Sequence, residues 1–113
     1  MTGFVFNPPI QASIAIKGQA ERFPVHRIYC VGRNFAEHAK EMGAEAPKGT
    51  PVFFMKPADA IVTDGADVPY PSATLDLHHE VELVVALQSS GAAIDVERAR
   101  AAIFGYAVGL DLT

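Results

Sequence analysis

Glu80-Val81-Glu82 opens a strongly apolar stretch that runs to Leu87. Side chains of an extended chain alternate faces, so Glu80 and Glu82 share one face. Val81, Leu83, Val85 and Leu87 take the other. Two carboxylates side by side at the edge of a core repel and lose solvation unless a cation or water satisfies them. Carboxylate oxygens are hard donors, which suit Mg²⁺ or Mn²⁺, with Ca²⁺ as an alternative, better than zinc. Asp111, in the apolar Gly109-Leu110-Asp111-Leu112, offers a third carboxylate. Together the three would complete an oxygen-donor site open on its other side. The plainer alternative is a wet strand start with both glutamates solvated, and spacing alone leans that way. Asp111 by itself is equally well explained as a hydrogen-bonded structural acid.

His38 and Glu41 form a second constellation, three residues apart on a helix expected from Asn34 to Met42. That spacing puts them on one face within hydrogen-bond reach. A carboxylate beside an imidazole raises its basicity and fixes its tautomer, which suits a general base acting on water. An ordinary surface pair is the simpler account of an isolated His-x-x-Glu. Arg33-Asn34 stands at a strand-to-helix junction, where backbone N–H groups and a guanidinium can receive a carboxylate. A dinucleotide-binding turn fails there, because Gly32 stands alone where three spaced glycines are needed. Lys56 follows a strand and could meet an anionic substrate, or simply be exposed. His78 and His79 point apart in an extended chain, so at most one reaches the same cation as Glu80. They are read as shaping the loop, or as one histidine supporting a ligand from outside. Cys30 is read as a buried structural thiol, and His26 has no identifiable partner.

The elements that must position these groups follow from pattern and punctuation. Ala12 to Ile16 and Ile28 to Val31 read as strands, the second buried. Asn34 is a good N-cap with Glu37 in capping-box position, and Gly43 is a natural stop. Val52 to Met55 and Ile61-Val62 are further strand candidates, with a turn at Asp64-Gly65. After an irregular stretch, Glu80 to Leu87 forms a strand. Asp95 caps a second helix to about Ile103, and Tyr106 to Leu112 forms another strand. The chain stops at Thr113 inside that apolar segment, which predicts that its remaining pairing strands lie outside this sequence.

The chain has 113 residues, enough for one domain. Half of them are hydrophobic, so a core and an ordered fold are expected. Its nine Lys and Arg are scattered and the net charge is -4, which argues against a nucleic-acid partner. No signal peptide and no apolar run of about 20 residues is present, so no membrane partner is expected and the cytoplasm is the expected location.

Four motifs resemble the fumarylacetoacetate hydrolase family, in the family's order. They are Ile28-Tyr29-Cys30-Val31-Gly32-Arg33-Asn34-Phe35-Ala36-Glu37-His38, Phe53-Phe54-Met55-Lys56-Pro57, Leu77-His78-His79-Glu80-Val81-Glu82-Leu83 and Gly105-Tyr106-Ala107-Val108-Gly109-Leu110-Asp111. Phe4 to Pro9 is similar to the fumarylpyruvate hydrolase branch. The resemblance implies a mixed α/β, mainly β catalytic fold, truncated here. Residues 1–27 would be an arm and lead-in strand, and residues 28–113 the N-terminal part of the catalytic domain. It implies Glu80, Glu82 and Asp111 as ligands of Mg²⁺ or Mn²⁺, and His38 with Glu41 as the water-activating dyad. Arg33, Asn34 and Lys56, from their positions alone, are read as binding substrate.

The implied reaction cleaves a carbon–carbon bond of a 2,4-dioxo acid, fumarylpyruvate giving fumarate and pyruvate, in aromatic-compound (gentisate-type) catabolism. The implied assembly at full length is a homodimer. An acylpyruvate hydrolase or an oxaloacetate decarboxylase would use the same motifs. Family domains continue past the position of Asp111 and supply further strands and a lysine. A non-catalytic fragment that binds metal or a partner subunit is therefore a reading of a different class.

Overall fold

The computed structural model describes residues 3–32 and 51–113. The helix expected from Asn34 to Met42 lies outside them. The chain divides into two compact units, Met1–Val68 and Pro69–Thr113.

The first unit holds two antiparallel strand pairs. β1 (Ser13–Ala15) pairs with β2 (Arg22–Pro24), and β3 (Ile28–Gly32) with β4 (Val52–Lys56). The turn after β1 uses Gly18 at φ +80°, a backbone angle that costs glycine nothing. The Arg22 guanidinium donates to Ser13 Oγ (2.8 Å) and to Asp64 Oδ2 (2.9 Å), tying residues 42 apart in sequence. Both Arg22 and Asp64 are well exposed. An exposed pair of this kind contributes about 0–1 kcal/mol.

Ile61-Val62 does not form the expected strand. Pro57 instead begins a 3₁₀ turn over Ala58–Ala60, and Ile61 N–H returns to Ala58 O at 3.5 Å. A strand needs a neighbour for its backbone donors and acceptors, and none is paired here. The Asp64-Gly65 turn forms as expected, with φ 59° and 76° and Ala66 N–H donating to Thr63 O at 3.2 Å.

The second unit is one long hairpin-like pair. β5 (His79–Leu87) runs antiparallel to β6 (Ile103–Leu112), joined through α1 (Val96–Ala101). Asp95 caps α1 as its sequence position predicts, its Oδ1 accepting from Arg98 N–H at 2.8 Å. The helix is shorter than expected. Ala102 N–H closes it onto Arg98 O and Ala99 O, and Ala102 O then accepts from Gln88 N–H. Ile103 and Phe104 join β6, where β-branched and aromatic side chains are better accommodated.

The apolar residues sit less deeply than the sequence predicts. Among the described residues only Val25 (8% exposed) and Ala102 (6%) are buried hydrophobics. Cys30 is half-buried, not the buried thiol expected, and Tyr29 and Val31 beside it are exposed. In β5 the glutamate face is the half-buried one. The opposite face exposes Val81, Leu83 (70%), Val85 and Leu87, with Phe104, Tyr106, Val108 (80%) and Leu110 from β6. Two strands cannot shelter both of their own faces. Soluble monomers rarely leave contiguous apolar patches of this kind uncovered.

Candidate metal centre

The β5–β6 register brings the three acids together. Glu80 pairs directly with Asp111, and Glu82 with Gly109. His78 and Thr113 exchange both backbone hydrogen bonds, at 2.7 and 2.9 Å. Antiparallel ladders alternate, so the Glu80–Asp111 pair is also a hydrogen-bonded one, with Cα atoms about 5.5 Å apart. Glu82 follows two residues along on the same face. Glu80, Glu82 and Asp111 each offer an oxygen, these lie within 4.8 Å of one another, and all three residues are half-buried.

Three anionic carboxylates held this close repel one another. They gain when a cation is shared between them, and an all-oxygen donor set fits Mg²⁺, Mn²⁺ or Ca²⁺. The site lies on a sheet face, where Val84 and Ala86 continue its inner row on β5. Two shallow depressions, one beside Arg22 and Asp64 and one beside Ser89 and Arg98, are not formed by these acids.

The loop leading into β5 is tied down locally. Leu77 N–H donates to the Tyr70 hydroxyl at 3.1 Å, and Asp76 N–H to Thr74 Oγ1 at 3.0 Å. His78 Nε2 lies 3.0 Å from Asp76 Oδ1 on the exposed side of the loop. His79 is exposed, on the face opposite Glu80. Lys56 ends β4, half-buried and paired in register with Ile28, within the first unit. His38, Glu41, Arg33 and Asn34 lie outside the described residues.

Sequence reasoning missed Gly109 and Val84. Along the chain both look like ordinary strand residues, and only the register sets Gly109 across from Glu82. It also missed the Arg22–Asp64 pair, because nothing in one dimension links positions so far apart.

Known proteins are similar to this chain. Oxaloacetate tautomerase YcgM of Escherichia coli (strain K12) is 43% identical over 91 residues, 80% of this chain and 41% of that protein. A mitochondrial oxaloacetate decarboxylase of Dictyostelium discoideum is 41% identical over 88 residues, 77% of this chain and 40% of that protein. The crystal structure of fumarylpyruvate hydrolase from Pseudomonas aeruginosa, in complex with Mn²⁺ and pyruvate, superposes with a TM-score of 0.89 at 46% identity. It covers 98% of this chain and 49% of that one. The chain thus spans half or less of the length of these relatives. Among the described residues no helix is long and apolar enough to cross a membrane. The family model for the fumarylacetoacetate (FAA) hydrolase C-terminal region matches residues 27–113, and the chain belongs to that family.

Proposed function

We propose that Glu80, Glu82 and Asp111 hold Mg²⁺ or Mn²⁺ in an enzyme that hydrolyses a carbon–carbon bond of a 2,4-dioxo acid, with fumarylpyruvate as substrate. The observation that carries this reading is the convergence of three carboxylates on paired strands. The similarity to a fumarylpyruvate hydrolase solved with Mn²⁺ and pyruvate supports it. When bound, the cation supplies Lewis acidity toward the 2-oxo acid end of the substrate.

The remaining chemistry falls to side chains. His38, oriented by Glu41, takes a proton from a water that attacks the distal carbonyl carbon. The bond from that carbon to the neighbouring methylene breaks, and its electron pair leaves with the pyruvate half. Protonation of the methylene carbon gives pyruvate, and the attacked carbonyl becomes the carboxylate of fumarate. Arg33, Asn34 and Lys56 receive the substrate's carboxylates. In this reading residues 28–113 belong to the catalytic domain, the protein works in the cytoplasm, and the reaction serves breakdown of an aromatic compound.

The relatives that act on oxaloacetate support a second reading, in which the same acids serve an oxaloacetate-converting enzyme. Decarboxylation needs no attacking water and leaves the His38–Glu41 dyad without a hydrolytic task. A panel of fumarylpyruvate, a simple acylpyruvate and oxaloacetate, each with Mn²⁺, separates the two. Appearance of fumarate from fumarylpyruvate is expected. Turnover of oxaloacetate alone selects the second reading. Metal binding with no turnover of any of them selects a non-catalytic role for this chain.

We also propose that the protein at full length is a homodimer. Sedimentation of the full-length protein should give twice the monomer mass, and a monomer rules the dimer out.

A further inference from the structure

We infer that Gly109 and Val84 form a matched pair that sets the spacing of the ligand-bearing strands, making Gly109 a positioning residue of the metal site. The inference rests on the metal-binding reading above. The register makes a four-cornered patch on the inner face, with Glu80 across from Asp111 and Glu82 across from Gly109. Acids occupy three corners and the fourth has no side chain. A Cβ built at Gly109 would fall 2.8 Å from Val84 Cγ2. Carbon atoms prefer about 3.5–4.0 Å, so something must move.

Val84 cannot swing aside cheaply, because a β-branched side chain is stiff at χ1. It also follows Glu82 by two residues on the same face, and Gly109 precedes Asp111 by two. Relief therefore comes from a shift of β5 against β6, which moves Glu82 relative to Asp111. The glycine is not there for its backbone freedom, since its φ is outside the left-handed range. Gly105 supplies the contrast. It lies four residues back on the same face of β6, and a Cβ there would meet nothing within 4 Å.

Mg²⁺ demands near-ideal octahedral geometry, whereas Ca²⁺ accepts irregular sites. A shifted ligand pair should therefore penalise Mg²⁺ more than Ca²⁺, which a general loss of stability would not do. The test is calorimetric titration of the full chain with Mg²⁺, Mn²⁺ and Ca²⁺, with circular dichroism to follow the fold. Gly109→Ala should bind Mg²⁺ at least about tenfold more weakly, the size seen when support around a ligand is lost. Its Ca²⁺ affinity should fall less. Gly105→Ala should match the parent, and Val84→Ala/Gly109→Ala should recover what Gly109→Ala loses. Unchanged Mg²⁺ affinity in Gly109→Ala overturns the inference, as does a loss the double variant fails to recover. If Gly109→Ala does not fold, the double variant decides. Mg²⁺ binding equal to that of Val84→Ala supports the pair, and weaker binding or an unfolded chain overturns it. A parent chain that binds none of the three cations defeats the metal reading itself, which the variants alone cannot do.

Discussion

Glu80→Gln is expected to weaken Mn²⁺ binding roughly 100-fold, about 2.7 kcal/mol. The substitution keeps the size and shape of the side chain and removes one negative charge. It leaves two anionic ligands where the parent has three, and affinity for hard cations follows ligand charge. Glu80 is the position where the effect should be clearest, since it sits directly across from Asp111 and its oxygen converges with those of Glu82 and Asp111. Titration of the variant beside the parent gives the answer. Equal Mn²⁺ affinity in the two would mean that the acids are only a solvated cluster on a strand face. The same titration on Glu82→Gln should show a loss of similar size, because both glutamates lie on one face of β5.

His38→Ala should lower kcat by about 10²–10⁴ in the catalytically active protein, the usual worth of a positioned general base. Affinity for Mn²⁺ should stay at the parent level, because His38 takes no part in the proposed ligand set. That split between turnover and metal binding separates a base from a ligand. Glu41→Gln should show a smaller loss of kcat, since it acts by orienting His38 rather than by taking the proton. Full turnover by His38→Ala on fumarylpyruvate would remove it as the general base. Decarboxylation of oxaloacetate unaffected by the same substitution would point to the second reading.

Local chemistry made several of these features legible in one dimension. Period-2 alternation placed Glu80 and Glu82 on one face, and that is how β5 carries them. Asp95 was readable as a cap because its side chain bonds within one helical turn. The Asp64-Gly65 turn was readable because both residues tolerate positive φ. Each of these depends on neighbours a few residues away, where sequence distance and spatial distance are nearly the same.

What the tertiary structure decided is what depends on partners far along the chain. Ile61-Val62 has strand-forming residues but pairs with no strand among the described residues, and Ile61 closes a 3₁₀ turn. Ile103 and Phe104 could extend a helix by pattern, yet pairing with β5 draws them into β6. Asp111 was a candidate third carboxylate in sequence, and the register is what sets it across from Glu80. Gly109 was an unremarkable glycine until the same register showed that a Cβ there would strike Val84. Residue types and their alternation thus offered an oxygen-donor site as one reading beside a solvated strand start. Whether its third acid arrives, and what keeps its fourth corner bare, follows from how two strands 16 residues apart in sequence are aligned, with His79–Leu87 on one side and Ile103–Leu112 on the other. That alignment is set by backbone hydrogen bonds between distant residues, which no local pattern encodes.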